Sequence, residues 1–447
     1  MPLTQALGQF VSDLSPNRVP EEAMRIARMG FIDCIGTMIV GRDEDCTKIL
    51  KGVLAPGKGP ASLFFSGEAS TGPEAGWING TAAHALDYDD VSLRGHPSTV
   101  LVPAILAEAE VLGRTGQDML VAYVAGYETW AELVRRDVPL YHQKGFHPTG
   151  IFGAVGAAAA CAKLRRLDAE KTAIAIALGA SQASGIMSNF GTMTKPFHAG
   201  KSAHSGIMAA RLAEAGFTAN TDALEHPQGF LSAVSPKGAP DRSGDGKLGE
   251  DWLIIKHGLS IKKYPACYGT HRAIDAMLDL VGQHPVKAEE VDKVSVHFSS
   301  LTSNVLRNRT PDTGLAAKFS MEFAMASGII AHRVSLRELT DEFVQRADVQ
   351  ALMRRVERDL TDETDEKNPG SAPWEQVTVT LKSGRVLQSE KVTRARGHAE
   401  RPLTDDQLHE KFADCLTTGK SKIAPDVLFG RLQNMQSLTA AQLTAVN

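Results

Sequence analysis

The stretch that most constrains this chain is GIFGAVGAAAACAKL, residues 150–164, which has helix-forming residues but almost no side-chain bulk on any face. Such a helix has no polar stripe to leave in water, so it must lie buried among other helices at short range. AEKTAIAIALGA (169–180) repeats the texture, and TVLVPAILAEAEVL (99–112) and residues 118–134 carry apolar residues at helical spacing. Residues 20–40 open on Pro20, Glu21 and Glu22, as a helix N-terminus should, and continue in the same way. The 40 glycines and the 6% aromatic content agree: close helix contact replaces bulky core filling. Small-residue helices also pack in membranes, but no uncharged apolar run reaches the roughly 18 residues a span requires. The N-terminus, MPLTQALGQF, lacks the basic and apolar regions of an export signal. Five scattered cysteines with no CxxC suit reduced thiols. The expectation is a soluble, cytoplasmic protein with no membrane role. A net charge of −4 argues against nucleic acid as a partner.

After about residue 265 the pattern changes. Residues 289–297 set Val291, Val294 and Val296 among polar residues and read as a strand. Residues 376–392 read as a hairpin turning at Ser383-Gly384, with helices expected between, at about 318–332 and 337–360. From Pro402 the chain is helical again. The expected fold is therefore mainly α: a large all-helical domain with an inserted, smaller α+β domain. Its parts are residues 1–265, the insert 266–396, and the return 397–447. The stretch 235–249 reads as a surface loop, and no internal repeat is present.

Four clusters carry candidate chemistry. HALDYDDVSLRGHPST (84–99) groups Asp87, Asp89 and Asp90 with His84 and His96; on a helix, His84, Asp87 and Asp90 would share a face. Crowded carboxylates raise one another's pKa, which suits acid–base work, although capping and solvated charge compete as explanations. A terpene-cyclase reading of Asp-x-Asp-Asp fails for want of aromatic residues. GFHPTG places His147 just before the Ala-rich helix, where a helix N-terminus attracts anions. GTMTKPFHAGKSAHSG (191–206) threads Lys195, His198, Lys201 and His204 through a Gly-rich loop leading into a helix, a plausible anion receptor. IKKYPACYGTHRAIDA (261–276) gathers Lys263, Tyr264, Cys267 and Tyr268 at the inferred domain junction. No Walker, Rossmann, haem or zinc spacing accompanies them. The pattern favours cofactor-free proton transfer on a small carboxylate, with Lys and His stabilising the enediolate. A non-catalytic carboxylate-binding protein is the alternative of another class.

The ordered motifs HALDYDD, HPS, GFHPTG, MTKPFHAG, KYPACYGTH and AKFSMEFA, closing on PLT and KF, resemble the MmgE/PrpD family along nearly the whole chain. The resemblance implies a helical domain with a smaller α+β lid domain, a homodimer, and a site in the cleft between the domains. It also implies di- or tricarboxylate substrates and neither metal nor organic cofactor. The implied catalytic positions are Asp87, His96, His147, Lys195 and Lys263. Tyr88, Lys201, Tyr264, Cys267 and Tyr268 are the candidate substrate-binding residues. Dehydratases and decarboxylases of the family commonly place Thr after the Asp pair and have a longer loop to the His. Here Val91 follows, and only VSLRG separates Asp90 from His96. That departure leads the reading toward an epimerase like iminodisuccinate epimerase, with a dehydratase or decarboxylase of a citrate- or aconitate-type acid as the alternative.

Overall fold

A computed structural model describes residues 1–244, 247–368 and 370–446. The chain is mainly α with small sheets. It divides into two compact units, one of Met1–Ile261 plus the segment from Thr404 onward, the other of Lys262–Leu403. No helix among the described residues is long and apolar enough to cross a membrane.

The first unit is helical apart from a short antiparallel pair, β1 (Ala61–Leu63) and β2 (Glu68–Ser70). Its main helices are α1 (Glu21–Gly41), α2 (Gly72–His84), α3 (Ser98–Leu112), α4 (Gly116–Val134), α5 (Pro148–Arg165), α6 (Ala169–Ser181) and α7 (Thr194–Glu214). The Ala-rich α5 is the hub, with every residue from Pro148 to Ala162 buried and packing against α3, α4, α6 and α7. Missing side chains make this possible. A Cβ on Gly126 of α4 would sit 2.7 Å from the Gly156 carbonyl oxygen, and one on Gly80 of α2 would sit 2.8 Å from the Gly200 Cα of α7. The buried Glu108 ties three helices: it accepts from Arg211 Nη2 at 2.6 Å and also pairs with Arg165. Removing one partner of such a buried ion group would strand its charge.

In the second unit, β3 (Val291–Ser299) pairs parallel with β4 (Val356–Thr361) and antiparallel with β5 (Gln376–Leu381), which pairs with β6 (Val386–Gln388). The order is β4-β3-β5-β6. Alternation buries Val294, Val296 and Phe298 of β3 with Val377 and Val379 of β5, in one core with Ile274 and Met277 of α8 (His271–Gln283) and Met325 of α9 (Met321–Ala331). The hairpin turns at Gly384, whose φ of +85° suits glycine.

Three local expectations need correction. Residues 337–360 form no single helix: short turns at Asp341–Val344 and Ala347–Met353 lead into β4. VERDLT is too charged to announce a strand, and its pairing partner lies about sixty residues away. The 191–206 loop is helix from Thr194 onward, because Pro196 falls in the first turn, where its missing N–H costs nothing. The helix expected through HALDYDD stops at His84. In the 235–249 stretch the described residues form no helix or strand, and Asp245 and Gly246 lie outside the described residues. After the second unit, α10 (Asp405–Thr418) packs on α1 in the first.

Candidate active site

The segment between α2 and α3 carries the acidic motif, and it is bent sharply. Asp87 has φ +53°, with Leu93 (+50°) and Arg94 (+64°) also left-handed. Such residues cost energy and persist only where their surroundings hold them. The backbone of Val91 exchanges hydrogen bonds with Ser260, 2.8 and 3.0 Å. Lys411 of α10 donates to the Tyr88 carbonyl at 2.7 Å, pairs with the buried Asp33, and lies 4.1 Å over the Tyr88 ring.

Because the helix ends at His84, contacts replace the expected three-residue spacing. Asp89, fully buried, sits between two imidazoles: His84 Nδ1 donates to Oδ1 at 2.9 Å and His96 Nδ1 lies 2.7 Å from Oδ2. Burial alone would raise the Asp89 pKa, but the two histidines hold it well below the ordinary value. His96 Nδ1 is also 2.9 Å from the Asp90 carbonyl oxygen. Both neighbours are acceptors, so Nδ1 carries the hydrogen and Nε2 of the neutral ring keeps its lone pair. That Nε2 lies 3.9 Å from Asp87 Oδ1. The Asp90 carboxyl is pushed well above the ordinary carboxylate range by burial and by Asp33 and Asp89.

Asp87 is paired with Lys195 Nζ at 2.5 Å, and the two side chains are only 13% and 10% exposed. Lys195, on the first turn of α7, also stands 5.3 Å over the Phe190 ring. His147 occupies the N-cap position of α5 without a side-chain capping hydrogen bond, its ring 5.9 Å from His84, 6.4 Å from His96 and 4.8 Å from Phe190. Burial first, then Lys195, holds His147 well below the usual histidine range, and burial pushes His84 down to about 4. Four predicted residues from three stretches, Asp87, His96, His147 and Lys195, thus meet in one largely buried group. His84, Asp87, Asp89 and His96 also offer ligand atoms within 4.8 Å of one another, a spacing a divalent ion accepts. The same side chains make the contacts with one another and with Lys195 given above.

The other candidates sit differently. Tyr88 is buried against Lys411, and Lys201 engages Trp77 (4.6 Å to the ring) and His204 (3.2 Å). Lys263, Tyr264, Cys267 and Tyr268 belong to the second unit. There Tyr264 donates to Asp275 at 2.6 Å, the Cys267 amide donates to the Lys318 carbonyl at 2.8 Å, and the Tyr268 ring is 5.0 Å from His271. Lys263 is half-buried. Sequence reasoning gathered His84, Asp89 and His198 into its clusters without assigning them a catalytic or binding role, and it did not single out Lys411. For Lys411 a signal existed: Leu408, Phe412 and Cys415 mark the buried face of α10, and a lysine on that stripe requires a buried partner.

Fold and site together define a mainly helical protein whose core holds a group of imidazoles, carboxylates and one lysine. Residues 5–243 match the MmgE/PrpD N-terminal domain and residues 264–424 the MmgE/PrpD C-terminal domain. The chain belongs to the MmgE/PrpD family. A cis-aconitate decarboxylase of Homo sapiens is 30% identical over 364 residues, covering 76% of this chain and 71% of its own. That of Mus musculus is 26% identical over 438 residues (92% and 86%). That of Aspergillus terreus is 22% identical over 455 residues (92% of each). All three are named for a lyase reaction, so these relatives back the lyase alternative, and none of them supports the epimerase reading drawn from Val91.

Proposed function

We propose that the chain is a lyase acting on a citrate- or aconitate-type tricarboxylate, removing CO₂ or water by proton transfer at a carbon next to a carboxylate. The observation that carries this reading is the Asp89–His96 pair facing the Asp87–Lys195 pair in one buried group. For loss of water, an imidazole whose Nδ1–H is held by a buried carboxylate presents Nε2 as the acceptor of the α-proton and hands it on to the departing hydroxyl. For loss of CO₂ no proton leaves the substrate, and the same Nε2, having taken up a proton from water, delivers it to the carbanion. Loss of CO₂ leaves an electron pair that a neighbouring carboxylate must share, and loss of water begins by making the same kind of anion. Lys195 supplies the positive charge that such an anion needs, in surroundings that exclude most water. In the proposed cycle Asp87 positions Lys195, His147 binds a carboxylate oxygen, and Lys263 is assigned, on the resemblance, to a further carboxylate of the substrate. Relatives named as decarboxylases favour CO₂ as the leaving group.

The test is incubation with cis-aconitate, citrate and succinate-type acids in D₂O, followed by proton NMR and CO₂ release. The lyase reading expects CO₂ or water to leave, with a new or shifted C=C. Deuterium entering an α-carbon with neither lost would overturn it in favour of the epimerase. Tight binding with no turnover or exchange would leave a carboxylate-binding protein.

A further inference from the structure

Beside the paired groups described above lies a second histidine contact that the proposed chemistry has not used. His147 Nδ1 is 3.2 Å from Nδ1 of His198, which stands one turn after Lys195 on α7. On the other side of the His147 ring, Nε2 is buried and has no hydrogen-bond partner. Leaving such a group unsatisfied costs about 1–3 kcal/mol, so its retention calls for a ligand.

The contact is built in. The His147 amide donates to the Gly185 carbonyl at 3.1 Å, and a Cβ on Gly185 would lie 3.2 Å from His198 Cγ and Nδ1. One glycine therefore anchors the first histidine through its backbone and leaves room for the ring of the second. Burial, then Lys195, lowers the pKa of both rings, which favours two neutral imidazoles. Two facing nitrogens of neutral rings share one hydrogen, so one donates and the other accepts.

We infer that His198 is the donor, a positioning residue that fixes His147 with its own hydrogen on Nε2, directed at an oxygen of the bound carboxylate. The choice rests on the proposed anionic substrate. If His147 donated instead, it would turn a bare lone pair toward a carboxylate and repel it. With His198 donating, His147 becomes a neutral N–H donor that binds an oxyanion without competing for the proton at His96.

The test compares wild type, His198→Asn and His198→Leu, by ¹⁵N NMR of labelled histidine in the ligand-free protein and by kinetics on the acid turned over. An asparagine amide can stand where the His198 Nδ1–H stands, whereas leucine removes the donor. Expected are the Nε2–H form of His147 in wild type and His198→Asn, and a mixed or Nδ1–H form in His198→Leu. His198→Leu should raise KM or lower kcat so that kcat/KM falls about 10–100-fold, with most of the loss restored in His198→Asn. An Nδ1–H form of His147 in wild type would overturn the inference. So would an unchanged tautomer in His198→Leu, or His198→Asn behaving like His198→Leu. The NMR arm reads the ligand-free protein, so it decides the tautomer even if the lyase reading fails.

Discussion

Asp89 shows most clearly how one side chain organises this site. Its two carboxylate oxygens face two different imidazoles, and it is 0% exposed. Its role toward His96 is to fix the tautomer and orientation, as buried carboxylates do for catalytic histidines elsewhere. Asp89→Asn keeps the shape but puts an acceptor oxygen and an N–H donor where two acceptors stood, so one histidine loses its correct partner. The expected outcome is a kcat on the order of 10²–10⁴-fold lower with KM little changed. Steady-state kinetics on the acid identified by the D₂O experiment measures this, and a kcat within threefold of wild type would refute the assignment. At the same scale the sequence was only partly legible. It presented Asp87, His96, His147 and Lys195 by type and motif, yet the left-handed turn at Asp87 decides which acid meets which histidine.

Among elements, α5 was readable from composition alone, because a helix of Ala and Gly has nowhere to go but between other helices. The close approach of α4 and α5 at Gly126 and Gly156 follows. Gly126→Ala puts a methyl 2.7 Å from the Gly156 carbonyl oxygen, on rigid backbone with no side chain to yield. It should destabilise the protein by about 1–3 kcal/mol. Gly430→Ala, on the helix Pro425–Gln433, meets nothing within 4 Å and should be neutral or stabilising by about 0.4–1 kcal/mol. Urea denaturation compares the two, and equal effects would contradict the packing argument. β4 was illegible for the opposite reason. Its side chains alternate only weakly, and a strand with Leu360 45% exposed is defined by its partner, not by its own sequence.

On the scale of the whole molecule, the first unit is discontinuous, closed by a segment that arrives after the second unit. Lys411 on α10 pairs with Asp33 on α1 and holds the Tyr88 carbonyl beside the bent Asp87. A chain truncated after Leu403 would leave Asp33 buried without its cation and the apolar face of α1 uncovered. Breaking a buried pair from one side costs about 3–5 kcal/mol. The expected result is aggregation or loss of the cooperative thermal transition seen by circular dichroism in the full chain. A soluble, cooperatively folding truncation would show that the C-terminal segment is dispensable.

Residue type and local period determined much of this protein: the buried small-residue helices, the hairpin, and the types of polar residue gathered at the candidate site. Those properties depend on what each residue is and on neighbours within a turn or two of chain. Tertiary structure alone decided that helix stops at His84, that Asp89 bridges two imidazoles, that Lys195 pairs with Asp87 across 108 residues, and that Lys411 buttresses the turn. The physical reason is that a buried charge or imidazole is stable only with its specific partner, and the partners here come from segments far apart in sequence.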